Sequence, residues 1–368
     1  MTFFWAIVLF GLLIFFHELG HFILAKLVGV KVLKFSLGFG PKLISRKIGD
    51  TEYILSALPL GGYVKPLGEE TSEELSEEEK PFAFNTQPAW KRAAIIISGP
   101  VFNLVLAYII FVSFLSVSIP VIIPNLDSIS PTIDSVVEDS PAMKAGLMED
   151  DTIIAISDES VDDWTEMSDI ISKNPGMELP LKVSRGDEII ELKVTPEPSP
   201  VKDEEGKDIV VGRIGITKKL NFYTVESNSL LMAPLKGAEA LYRWCVLTVE
   251  VVVKLFSGSL SAKQVGGPIL IVDAAAKAAS VGLTAYFNFI AIISINLAIL
   301  NLLPVPVLDG GHLMFLSIEA IRRRPLSEKV MTMANRVGLT LLLMLMVFVF
   351  YNDITRIIVP WIQKIINH

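Results

Sequence analysis

Long stretches without a charge set the pattern of this chain. No Asp, Glu, Lys or Arg lies between Ala93 and Leu126 or between Ala278 and Leu308, and shorter apolar runs occupy Met1–Phe16 and Val337–Asn352. About 18 or more apolar residues in helical form can cross the hydrocarbon core of a bilayer. The pattern therefore predicts four transmembrane helices, at Phe3–Val28, Ala93–Ile123, Val281–Leu303 and Val337–Val359. No Lys or Arg precedes the first run and no small-residue cleavage site follows it, so it is expected to be a retained helix. Asp353 and Arg356 fall near the far end of the fourth, where charges can reach the interface. A wholly soluble protein is excluded.

Between the spans the periodicity changes. In Leu230–Phe256, Lys236, Glu239, Arg243, Glu250 and Lys254 recur at intervals of 3, 4, 7 and 4, which places them on one helical face. That spacing predicts an amphipathic helix lying in the interface rather than a fifth span. Leu43–Ile48 and Glu52–Leu58 flank Gly49-Asp50, a hairpin signature. Glycine-spaced apolar pieces at Phe35–Pro41 and Pro59–Lys65 suit strands at a membrane surface, and the glutamate-rich Glu69–Lys80 suits a solvated loop. Pro131–Pro196 reads as a small α+β unit, with strands at Ile133–Val137, Thr152–Ile156, Leu179–Val183 and Glu188–Val194. Its helices are expected after Ser140-Pro141 and over Trp164–Lys173, capped by Asp162 and Asp163. Pro196–Asp208 has the composition of a linker. The expected organisation is 1–124, the first half of a membrane core; 125–217, the α+β unit and linker; 218–280, the amphipathic helix and connection; and 281–368, the second half of the core.

Composition sharpens this. Charged residues make up only 20% of the chain, against about 25% in soluble domains, and 51% of the chain is hydrophobic. The net charge of −8 gives no support to a nucleic-acid partner, and the lone Cys245 cannot form an internal disulfide. Lys and Arg in short loops set orientation. Lys26, Lys31, Lys34, Lys42, Arg46 and Lys47 follow the first span, and Arg322, Arg323, Arg324, Lys329 and Arg336 lie before or at the edge of the fourth. Both loops are expected on the cytoplasmic side, with both termini and 125–280 on the other. Residues 125–235 carry 10 basic and 23 acidic side chains, which is compatible with export.

Two of the four histidines, His17 and His21, are four residues apart inside the first span, so on a helix they share a face and can bind one metal ion. Glu18 sits one step around, within reach of a water to be activated as a general base would do it. The alternative, a polar seam between helices, conflicts with the cost of ionisable groups inside a membrane. A catalytic zinc usually has three protein ligands. The best third candidate is Asp309, which ends the uncharged stretch in Asn301-Leu302-Leu303-Pro304-Val305-Pro306-Val307-Leu308-Asp309-Gly310-Gly311-His312. Its prolines break the helix, and irregular backbone at membrane depth is tolerated where it lines a cavity. Asp309 could instead cap a helix. His312 is open to a fourth-ligand role or a structural one.

With these residues in view the sequence resembles the site-2 protease family. His17-Glu18-Leu19-Gly20-His21, Gly61-Gly62-Tyr63-Val64-Lys65, Ser98-Gly99-Pro100-Val101-Phe102-Asn103 and Asn301–His312 follow one another as in that family, most closely in its bacterial RseP or RasP type. The resemblance implies a zinc metalloprotease of the bacterial inner membrane that cuts transmembrane segments of single-span proteins. Substrates implied are anti-sigma factors after a first cleavage, or remnant signal peptides. It implies His17, His21 and Asp309 as Zn2+ ligands and Glu18 as the base. Substrate would be held by Asn301, the backbone near Pro304 and Pro306, and a membrane-associated β region containing Gly62 and Tyr63. Residues 131–196 resemble an extracytoplasmic PDZ domain, single where enterobacterial members carry two. A monomer is expected. The competing reading is a catalytically silent, membrane-tethered PDZ adaptor.

Overall fold

The computed structural model describes residues 2–69, 75–124, 130–186, 188–202, 208–218, 222–227, 229–257, 266–324 and 326–355. The chain forms two compact units, Met1–Val121 with Val225–His368, and Ile122–Thr224.

In the first unit, helix α1 (Thr2–Leu27) leads into strands β1 (Val32–Ile48) and β2 (Thr51–Pro66), followed by helix α2 (Ala89–Ser116). The tight turn at Gly49-Asp50 joins Ile48 to Thr51 as the sequence predicts. Each strand then doubles back on itself. Phe35 pairs with Tyr53 on one side and Val64 on the other, Ser36 with Ile54 and Tyr63, and Leu37 with Leu55 and Gly62. The two strands thus make a sheet four segments wide, in the order 62–66, 32–37, 51–56, 42–48. Gly38, at φ +90°, sits at the bend in β1, where a β-carbon would also meet the Leu58 carbonyl at 2.7 Å. Segment 62–66 is an edge, paired in the ladder only with 32–37 among the described residues.

Helix α2 ends at Ser116, earlier than the span expected to reach Ile123. Ser118 adopts a left-handed φ of +59° and turns the chain away. The β-branched run Val121-Ile122-Ile123 then lies in strand β3 (Val121–Pro124), where such residues are favoured.

The second unit contains β4 (Ile133–Val136), α3 (Pro141–Lys144), β5 (Thr152–Ile156), β6 (Glu159–Ser160), α4 (Trp164–Lys173), β7 (Leu179–Arg185) and β8 (Glu188–Val194). β9 (Glu197–Lys202), β10 (Asp208–Arg213), β11 (Ile216–Lys218) and β12 (Phe222–Val225) complete it. Ser140 caps α3 by accepting from the Met143 N–H, and Asp163 caps α4 by accepting from Glu166. The main sheet runs β6-β5-β7-β8, with β4 paired to β11 and β3 to β12. Ile133, Ile153, Ile156, Met167, Leu181, Val183 and Ile214 form its apolar core. Buried Asp151 is satisfied by Arg185 Nε and Nη2, at 2.7 and 2.8 Å, and by the Met148 N–H. Within the expected linker at 196–208, Glu197–Lys202 is a strand, β9, paired with β10 in a ribbon. Proline is tolerated there because a two-stranded ribbon consists of edges, and Pro198 and Pro200 need not donate to a second neighbour.

Returning to the first unit, α5 (Ala233–Phe256), α6 (Pro268–Val281), α7 (Leu283–Asn301), α8 (Asp309–Arg322) and α9 (Glu328–Asp353) follow. Among the described residues, four helices are long and apolar enough to cross a membrane: α1, α2, α7 and, from Lys329, α9. The fourth begins earlier than expected, and Arg356–Val359 lie outside the described residues. The uncharged stretch around 280 is broken by Gly282, at φ +148°, into α6 and α7. α6 is fastened to the end of α9, because Asp353 accepts from the backbone N–H groups of Gly267, Ile269 and Leu270 at 2.9–3.1 Å.

Helix α5, expected as an amphipathic helix of the interface, packs lengthwise against α2 and α7. Gly237 abuts the Val112 backbone, while the Thr248 hydroxyl bonds Asn296 on α7 at 2.8 Å. Two residues away, Ser294 bonds the Asn103 carbonyl of α2. Val112 and Asn103 are nine residues apart, so α5 advances roughly 13 Å along the bundle between its two contacts, at about 1.5 Å per residue. A helix lying across the bundle would meet both at one level. Small residues at Gly237 and Ala240 give α5 a face that seats against α2 and α7. Four of its charges pair within the helix, Glu239 with Arg243 and Glu250 with Lys254, while Lys236 donates to the Glu226 carbonyl.

Candidate metal centre

His17 and His21 project from successive turns of α1 toward α2, with their Nε2 atoms 3.3 Å apart. Asp309, in the first turn of α8, brings Oδ2 to 3.2 Å from His17 Nε2 and Oδ1 to 3.6 Å from His21 Nε2. These ligand atoms all lie within 4.8 Å of one another. Tetrahedral ligands at zinc-like bond lengths of about 2.0–2.1 Å stand roughly 3.3 Å apart, so the three atoms are spaced for one such ion. Two further observations fit a cation. Asp309 Oδ2 is buried without a hydrogen-bond partner although His17 Nε2 is near, as when two lone-pair atoms face a common centre. Gly99 leaves room beside the imidazoles, since a β-carbon there would lie 2.3 Å from His21 Nε2 and 2.8 Å from His17 Cε1.

Close approach of α1 and α2 builds this cradle. A β-carbon on Gly20 would meet the Ser98 carbonyl oxygen at 2.3 Å, so glycine on both helices brings their backbones together. The outer ring nitrogens then meet α2: His21 Nδ1 lies 2.8 Å from the Ile95 carbonyl oxygen, and His17 Nδ1 lies 3.3 Å from the Asn103 carboxamide. Such outer contacts fix the orientation of ligand imidazoles.

Glu18 points elsewhere. Its carboxylate has the Val64 backbone as a hydrogen-bond partner, and a β-carbon on Gly62 would approach Glu18 Cγ to 3.0 Å. The base candidate therefore stands between the metal cluster and the edge segment of β2. Tyr63 alternates to the other side of the strand and stacks on Phe39, with ring centroids 6.3 Å apart.

The turn after α7 delivers Asp309. Asn301 ends that helix, and Pro304 and Pro306 lie in the connection. Val307 adopts φ +85°, an uncommon conformation for a β-branched residue and a sign of local strain. Gly310 and Gly311 allow the start of α8 to tuck under the turn; their β-carbons would meet the Leu303 and Val305 carbonyl oxygens at 2.2 and 2.3 Å. Farther along α8, Glu319 holds both terminal nitrogens of Arg92 on α2, at 2.6 and 3.3 Å. Among the described residues the ligand cluster contains His17, His21 and Asp309; His312 is outside it and packs against Phe315. Gly20, Gly99 and Asn103 stand in motifs visible in the sequence, but nothing in their spacing assigns them a part.

Residues 5–345 match the family model described as Peptidase family M50. The Rhizobium meliloti protein named "Putative zinc metalloprotease R01501" is 35% identical over 355 residues, covering 93% of this chain and 93% of that one. The "Regulator of sigma-W protease RasP" of Bacillus subtilis is 31% identical over 427 aligned residues, covering 95% of this chain and 97% of its own. A solved PDZ domain of the SdrC-like protein of Listeria monocytogenes aligns at 23% identity with a TM-score of 0.19, over 26% of this chain and 90% of that one. A match of this extent shows that the chain belongs to peptidase family M50, the site-2 proteases, and is a multi-pass membrane metalloprotease.

Proposed function

We propose that the protein is a zinc-dependent endopeptidase that cuts transmembrane segments of single-span membrane proteins. The observation carrying this reading is the convergence of His17, His21 and the unpartnered Asp309 Oδ2 next to Glu18 in an apolar helix. His17, His21 and Asp309 would hold the ion, which supplies Lewis-acid polarisation of the scissile carbonyl and activation of a water. The Glu18 carboxylate takes the proton of the attacking water and delivers it to the departing amide nitrogen. A helical substrate has its backbone bonded internally, so it must unwind first. The edge segment 62–66 offers ladder groups to an extended substrate, and Gly62 lets this segment lie close to Glu18. Asn301 and the turn at Pro304 and Pro306 would hold the chain on the other side.

We further infer residence in a bacterial inner membrane, with the basic residues after α1 and after α8 facing the cytoplasm and both termini outside. Residues 131–196 would then form an extracytoplasmic PDZ domain that limits access; the two helices and antiparallel sheet of this unit support that reading. The name of the Bacillus subtilis relative, a sigma-W regulator, favours anti-sigma factors as substrates.

The test is the Glu18→Gln chain beside the native one, in liposomes with a single-span reporter. Zinc near one per chain in both, with cutting only by native protein, is the expected result. Undiminished cutting by Glu18→Gln removes Glu18 as the base. Native protein without zinc and without cutting would point to the adaptor.

A further inference from the structure

We propose that Asn103 is a positioning residue of the metal centre, whose side-chain carbonyl oxygen accepts a hydrogen bond from His17 Nδ1–H. This rests on the metal-binding reading above and goes one layer outward from it. Nε2 of His17 faces His21 and Asp309. A neutral imidazole that gives its Nε2 lone pair to a cation carries its proton on Nδ1, and that N–H needs an acceptor. His21 has one, the Ile95 carbonyl oxygen at 2.8 Å. For His17 the group within reach is the Asn103 carboxamide. With the amide nitrogen placed toward His17, its Nδ2 lies 3.3 Å from His17 Nδ1, so two hydrogen-bearing nitrogens would oppose each other. Meanwhile Asn103 Oδ1 is buried with no partner.

A half-turn of the amide exchanges oxygen and nitrogen, which occupy nearly the same volume. It converts the opposed donors into Nδ1–H···Oδ1 and gives the orphaned oxygen its donor. The backbone at this position is fixed independently. Asn103 is fully buried, and its main-chain carbonyl accepts from the buried Ser294 hydroxyl of α7 at 2.7 Å. One helix, α2, thereby orients both ligand imidazoles, through a main-chain carbonyl for His21 and a side chain for His17.

The full-length chain tests this with Asn103→Leu, which keeps bulk without polarity, and Asn103→Asp, which can only accept. Zinc affinity is read by chelator competition, and ligand geometry by the visible absorption of the cobalt-substituted protein. Loss of such an outer partner weakens metal binding about 10–100-fold. The expected result is therefore a loss of at least about tenfold for Asn103→Leu, with an altered cobalt spectrum. Asn103→Asp should stay closer to the native chain in both. Native-like zinc binding by Asn103→Leu overturns the proposal. So does Asn103→Asp that binds as weakly as Asn103→Leu or fails to fold. Should Asn103→Leu fail to fold, Asn103→Asp alone decides. A native chain that binds no zinc overturns the metal reading itself, and this proposal with it.

Discussion

A β-carbon at Gly99 would lie 2.3 Å from Nε2 of His21, closer than any non-bonded contact permits. The space that a methyl group would fill is taken by the imidazoles of His17 and His21. Gly99→Ala should therefore leave the helices in place, since alanine is the better helix former by about 1 kcal/mol, while displacing the imidazoles. Zinc affinity is expected to fall at least about tenfold with helical content unchanged. Chelator competition and circular dichroism on the same sample check both halves.

Gly62→Val tests the other wall of the site. Its added carbons meet Glu18 Cγ, Ile14 Cγ2 and the Ser36 carbonyl oxygen, at about 3 Å or less from the β-carbon alone. The edge of β2 must then move away from α1. Cutting of the reporter should drop by about 10²-fold, as misplacement on this scale does, while zinc content stays native. Loss of zinc with activity would instead mean that β2 supports the ligands.

Asp353→Ala should loosen the junction of α6 and α9. The carboxylate accepts three backbone N–H groups at the start of α6 and is almost fully buried. Hydrogen bonds to a charged group contribute about 1.5–3 kcal/mol. Amide exchange over 267–271 should accelerate accordingly, with exchange in α1 near His17 unchanged.

In the second unit, Asp151→Ala removes a buried carboxylate and leaves Arg185, about a third exposed, to water. The partial exposure limits the penalty to roughly 2 kcal/mol. Faster proteolysis between 131 and 213, with zinc content native, is the expected outcome in the full chain.

The spanning helices were legible because a membrane imposes its requirement locally: a run such as Ala93–Ser116 is apolar whatever packs against it. Asp309 could be matched to His17 and His21 because charge is scarce at that depth, although their contact spans most of the chain. α6 escaped notice because the break at Gly282 lies inside the uncharged run, and α8 because a 14-residue helix with charges resembles a polar connection. The course of α5 was not legible either. Its charged stripe suits an interface, while the decisive contacts belong to Val112 and Asn296. Glycines 20, 62 and 99 carry no signal of their own, since what they permit depends on the atoms opposite.

The division of the ligands between α1 and α8 has a consequence for biosynthesis. Both histidines and their α2 partners are complete once about 103 residues have been made, whereas Asp309 is added about 200 residues later. At about 5–20 residues per second, that interval is roughly 10–40 s. On the proposed ligand set, a nascent chain already threaded into the membrane would hold two ligands without the third. The order of synthesis alone would then keep the protease inert beside its neighbours until Asp309 is in place.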